Sequence, residues 1–186
     1  MILSCVKITI AMALLCIVGA DPCLAQTELR MEALNRYTIV KSDTVLVFYA
    51  VKPVDKIDFD IGKKYYWYIK DTIITTQAAA DGKILHGSFR KLFNDKNLAE
   101  EGTFDNGLKD GHWKSWYPGG NLKMMISWDK GEMNGEVIEY GENGMIMKKG
   151  KMKDNKFNGY IMTKQANGQF NKEIYKNGER ENVKDK

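Results

Sequence analysis

Apolar and polar positions alternate with a period of two through the second half of the chain. Trp113, Ser115 and Tyr117 fall on one face of a strand, and Leu122, Met124, Ile126 and Trp128 on one face of the strand that returns after Gly119-Gly120. Five to eight residues separate successive turn signals, which is strand length rather than helix length. Upstream, the β-rich runs 37–40 and 44–51 flank Lys41-Ser42-Asp43, and the runs 65–69 and 72–77 flank Lys70-Asp71. Two stretches break this habit. Residues 8–20 are almost wholly apolar, and residues 28–35 read as a short helix.

The alternation sits inside a longer period. Gly87, Gly111, Gly135 and Gly159 are each 24 residues apart. With the blocks aligned on them, Phe89, Trp113, Val137 and Ile161 fall together, as do Leu98, Leu122, Ile146 and Phe170, and then Phe104, Trp128 and Met152. A polar residue precedes each glycine: His86, Asp110, Asn134 and Asn158. A fixed period of this size signals stacked supersecondary units. Because one hairpin alone is marginal in water, the units must pair edge to edge.

Two turns per block give the period its mechanism. Midway come Gly119-Gly120, Asn143-Gly144 and Asn167-Gly168, which suit a two-residue turn with positive φ at both central positions, with Asp95-Lys96 as the weak member. Later come Asn106-Gly107, Lys130-Gly131, the glycine-free Asp154-Asn155, and Asn177-Gly178. Fifteen residues after each opening glycine the occupant runs Gly102, Ile126, Gly150, Ile174. A glycine inside a strand marks a close approach, so an aromatic ring from a neighbouring strand is expected across Gly102 and Gly150.

The predicted organisation is a cleavable export signal over 1–25, an N-terminal cap with a hairpin over 26–62, a degenerate repeat over 63–86, four repeats over 87–181 and a charged end over 182–186. Lys7, the apolar run and Cys23-Leu24-Ala25 before Gln26 carry the first of these. All three cysteines lie in that leader, so the expected mature chain has neither a disulfide framework nor a cysteine zinc site. Its expected place is the periplasm, the envelope or the exterior. Fifteen of the 17 glycines lie from Gly82 onward, where the turns are. The net charge of +4 is mild and does not suggest nucleic acid, but residues 147–186 carry 11 Lys and Arg against 5 Asp and Glu. An acidic partner or an anionic lipid surface fits that stretch, as do solvated faces and lysines that block a sheet edge.

The run Asp110-Gly111-His112-Trp113-Lys114-Ser115-Trp116-Tyr117-Pro118-Gly119-Gly120-Asn121-Leu122 and the run Tyr140-Gly141-Glu142-Asn143-Gly144 resemble the MORN-repeat variant. The resemblance covers residues 82–178 and extends to the YwqK-type antitoxin-like repeat proteins. Tyr65-Tyr66-Trp67-Tyr68 is similar to the N-terminal portion of exported Bacteroidetes proteins of this sort. It implies an all-β, elongated, single-layer antiparallel meander of 24-residue hairpins. For function it implies roles in protein binding, self-association or membrane apposition, or an antitoxin-like part in a toxin-antitoxin pair. The sequence departs from the pattern at Asp95-Lys96, Asp154-Asn155 and Lys164-Gln165.

No catalytic constellation stands out. His86 and His112 do not recur at matching repeat positions and lack companion ligands, so no metal is expected. Glu100, Glu101 and Asp105 do not converge, since neighbours on a strand point to opposite faces. There is no nucleophile elbow and no phosphate-binding loop, so neither an enzyme nor a cofactor is expected. The aromatics remain. On a single-layer sheet an uncovered row can bind a partner, and Tyr66, Tyr68, Trp116 and Tyr117 are the candidate interaction surface. Trp113 and Trp128 read as packing. The expected function is a non-catalytic exported scaffold for protein-protein interaction or self-association.

Overall fold

A computed structural model describes residues 34–52 and 57–181. The export segment, the charged end and residues 28–33 of the expected helix lie outside these, and Asn35 opens the first strand. In chain order the strands are β1 (Asn35–Val40), β2 (Thr44–Val51), β3 (Lys64–Ile69), β4 (Thr72–Gln77) and β5 (Lys83–Phe93). Next come β6 (Leu98–Asp105), β7 (Leu108–Trp116), β8 (Leu122–Asp129), β9 (Glu132–Tyr140) and β10 (Ile146–Lys153). The last are β11 (Lys156–Phe157), β12 (Gly159–Lys164), β13 (Phe170–Lys176) and β14 (Glu179–Arg180). All belong to one open antiparallel sheet, the expected all-β meander.

The opening glycines are sites of β-bulges. Against β2, the pairs Phe48↔Phe89 and Ala50↔Leu85 leave Tyr49 facing three residues centred on Gly87. Against β6, Glu101↔Lys114 and Thr103↔Asp110 leave Gly102 facing Gly111 to Trp113. Against β8, Ile126↔Val137 and Trp128↔Met133 leave Ser127 facing the residues around Gly135. Each opening glycine has positive φ, between 67° and 116°, which a side chain at that position would strain.

The turn after each bulge is tied to the preceding unit. Gly107 N donates to Leu85 O at 2.7 Å, Gly131 N to Lys109 O at 2.8 Å, Asn155 N to Met133 O at 3.2 Å and Gly178 N to Phe157 O at 2.9 Å. Every acceptor lies two residues before an opening glycine. The polar residue beside the glycine adds a second tie in two units, where Asn106 N donates to His86 Nδ1 and Lys130 N to Asp110 Oδ1. In these turns both central residues have positive φ, including Asp154 (50°) and Asn155 (63°), so asparagine replaces the missing glycine.

The midway turns differ from the two-residue form expected of them. Only the second residue of each pair has positive φ: Lys96, Gly120, Gly144 and Gly168. Gly120 N donates to Tyr117 O and Tyr117 N to Asn121 O, and the other three repeat this geometry. Each is a three-residue loop, a tight turn followed by a left-handed residue. The residue before it has a separate role, because Asp95, Asn143 and Asn167 accept from the backbone amide two residues on.

One cross-strand row runs through the sheet: Tyr37, Phe48, Phe89, Gly102, Trp113, Ile126, Val137, Gly150, Ile161. Its small members receive large neighbours. A Cβ built on Gly102 would lie 2.2 Å from the Trp113 ring, so the expected aromatic cover is present. At Gly150 the neighbour is Ile161, 3.2 Å away, rather than an aromatic, because the repeat position that supplies Trp113 holds isoleucine there.

The β3–β4 hairpin leaves the meander path. β2 pairs with β5, and β3 meets β5 only at Trp67↔Ile84 and Tyr68↔Lys83. Tyr66 N also donates to Gly107 O at 2.7 Å. The hairpin thereby lies over the face of β2, β5, β6 and β7, with Tyr68 on Tyr37 and Phe48 and Tyr66 on Phe104. This second layer encloses the main core of Phe48, Leu85, Phe89, Phe104 and Trp113, and Val51, Trp67 and Ile84 form a smaller one. From β8 onward the sheet is a single layer whose buried apolar side chains are Ile138, Met152 and Ile161.

Gly102→Ala forces its new methyl into the Trp113 ring and should cost about 2–3 kcal/mol by chemical denaturation. Gly150→Ala should cost less, because Ile161 can shift. Gly119→Ala, with nothing within 4 Å, should stay within about 0.5 kcal/mol of wild type.

Candidate interaction sites

Two regions have the geometry of a site: a cleft beneath the β3–β4 hairpin, and an apolar rim at the midway-loop end of the C-terminal repeats. The four aromatics singled out in the sequence divide between them. Tyr66 and Tyr68 point from β3 onto the main core, and the Tyr68 hydroxyl donates to Asp71 Oδ1 at 2.8 Å. Trp116 and Tyr117 sit half-buried where β7 enters its loop, with the Tyr117 hydroxyl donating to Tyr140 O at 3.0 Å.

The cleft encloses about 410 Å³. Lys109 on β7 is its unusual member. Its ammonium lies 3.3 Å from Glu100 Oε1 and 3.7 Å from the centre of the Trp113 ring, with Trp128 and Tyr66 at 5.5 and 5.8 Å. The side chain is 17% exposed. Ring faces attract the cation, but they do not replace the water lost on burial. Burial therefore lowers the Lys109 pKa from its ordinary 10.5, and the opposing pull of Glu100 does not cancel it. The unfolded chain holds this proton more tightly, so the contribution to stability rises with pH between the lowered value and 10.5. Tyr66 acts in the opposite sense. Burial, aided by Glu100, raises its hydroxyl above 10.0, and stability from this group falls once the unfolded tyrosine ionises.

Lys109 and Glu100 were not among the residues that the sequence singled out as a site. A signal was present: the position two before each opening glycine holds Leu85, Lys109, Met133 and Phe157, so lysine interrupts an apolar series. Glu100 and Glu101 do point to opposite faces, and Glu100 finds its partner on the next strand.

At the rim, Met145 (53% exposed) leads into β10, Ile146 (37%) and Met147 (38%) open it, and Phe170 (43%) opens β13. Seven of the ten methionines fall within residues 124–162. Unbranched thioether side chains adapt to irregular partners and are common on binding surfaces. His86 Nδ1 lies 3.6 Å from Asp105 Oδ1, and His112 Nδ1 3.2 Å from Ser127 Oγ. Among the described residues no group of three or more His, Cys, Asp or Glu has metal-binding geometry.

Comparison with known proteins fits this architecture. Residues 109–130 and 133–154 match the model of the MORN repeat variant. These segments hold two bulge-and-turn units, β7 with β8 and β9 with β10. No curated protein and no solved structure matches the chain. Repeats of this kind serve protein or membrane interaction and are typically non-enzymatic.

A titration of Lys109 Cε by NMR should give a midpoint below 10.5, and Glu100→Gln should lower it further by removing the opposing charge. Glu100→Gln alone should destabilise by about 1–2 kcal/mol, less than for a fully buried pair because Glu100 is partly exposed. The double variant Glu100→Gln/Lys109→Met should recover most of that loss.

Proposed function

We propose that the chain is a non-catalytic, exported repeat scaffold that binds another protein through the midway-loop rim of its C-terminal repeats. The observation that carries this reading is the contrast between the two halves of the sheet. The β3–β4 hairpin covers the aromatic face of the N-terminal half, whereas the rim leaves Met145, Ile146, Met147 and Phe170 exposed at the same loop end of the sheet as Trp116 and Tyr117. A cluster of exposed apolar side chains with a polar surround is the usual mark of an interaction surface. Tyr66 and Tyr68 support it indirectly, by holding the covering hairpin down.

A second reading is favoured by charge. The excess of lysine over residues 147–186 suits an anionic membrane surface, and Lys148, Lys149 and Lys172 all lie on β10 and β13.

Affinity capture from the native envelope fraction should recover one protein whose yield falls at least about tenfold with Met145→Ser/Met147→Ser/Phe170→Ser. Circular dichroism and thermal unfolding should show that this variant stays folded, because all three side chains are exposed. Capture unchanged by the triple variant contradicts the protein-binding reading. Sedimentation of the variant with anionic but not neutral vesicles would replace it with the membrane reading.

A further inference from the structure

The cleft beneath the β3–β4 hairpin has a polar mouth and an apolar interior. The mouth lies at the β1–β2 turn, where Lys41 and Asp43 line it. The register places Lys91 opposite Leu46 on one side and opposite Glu100 on the other, so these charges stand on neighbouring strands near that mouth. Further in, Leu85, Phe89 and Phe104 form the wall, and Ile73 of the hairpin closes it. A volume of about 410 Å³ is within the range of small-ligand sites, about 300–1,000 Å³.

The charges do not balance. Among the described residues that line the cleft, Lys41, Lys91 and Lys109 face only Asp43 and Glu100, which leaves one positive charge over. Glu100 is committed to Lys109 at 3.3 Å, and among the described residues neither Lys41 nor Lys91 forms an ion pair. We infer that the cleft binds a small monoanionic amphiphile, an alkyl carboxylate, with its chain along Phe89 and Ile73 and its carboxylate between Lys41 and Lys91. Such a ligand neutralises the surplus charge and fills the apolar wall in one step. Lys109 supports the same orientation from the side, because a desolvated ammonium favours a nearby anion. This site is separate from the rim and stands or falls independently of it.

The test uses the full chain and three ten-carbon probes below their aggregation limits: decanoate, decanol and decyltrimethylammonium. Tryptophan fluorescence reports binding because Trp113 lines the cleft, and amide shifts in NMR locate it. Decanoate should bind saturably with one-to-one stoichiometry, at least about tenfold more tightly than either other probe. Its shifts should fall on Leu46, Leu85 and Phe89. Lys41→Gln/Lys91→Gln should weaken decanoate at least about tenfold and leave decanol unchanged, with the unliganded thermal midpoint as a check on folding. The absence of saturable binding, equal affinity for the three probes, or shifts confined to the Met145–Phe170 rim would each overturn the inference.

Discussion

Beyond the strand ladder, each repeat is tied to the one before it by one recurring backbone hydrogen bond, from a turn amide to a carbonyl two residues before an opening glycine. Gly107 to Leu85, Gly131 to Lys109, Asn155 to Met133 and Gly178 to Phe157 are four copies of this bond. The bulge beside it adds two residues to one strand of the inter-repeat pair, and an opening glycine with positive φ lies within it. From this constraint the side-chain row follows. The bulge brings Trp113 across Gly102, and the cross-strand contacts of the row, worth about 0.2–1 kcal/mol each, accumulate along the sheet.

The same geometry explains why the two halves of the sheet differ. The edge of β5 is shared in sequence by β6, by the Gly107 turn and by the end of β3. That junction lets the β3–β4 hairpin turn back over the face instead of extending the meander, and the aromatics of β3 are absorbed as cover for the core. No second layer lies over the C-terminal repeats among the described residues, and their few buried side chains leave the methionine-rich rim open. Open rim and covered cleft are thus two consequences of one departure from repetition.

Much of the architecture was legible in the sequence because repetition amplifies weak local signals. Four aligned glycines, polar residues before them and turn pairs after them fix strand order and turn positions from β5 onward. The turn chemistry was only partly legible. Asn-Gly fits both kinds of loop, and what separates them is whether the asparagine takes positive φ, as Asn106 does, or accepts a backbone amide, as Asn143 does. The fold-back of β3 was not legible, since Tyr65-Tyr66-Trp67-Tyr68 alternates like any strand and its partner is set by a junction distant in sequence. Lys109 was hidden by the opposite difficulty. Its repeat position is apolar elsewhere, but a lysine on a strand reads as a solvated face until Glu100 and three rings are found around it.

The most direct measurement is hydrogen exchange of the turn amides by NMR. If the turn-to-carbonyl bond joins the repeats, the amides of Gly107, Gly131, Asn155 and Gly178 will exchange as slowly as strand amides such as that of Phe104, although each lies in a two-residue turn. Exchange as fast as that of Gly119, in an exposed midway loop, would contradict the account, because the turns would then add no tie between repeats beyond the strand ladder and side-chain packing.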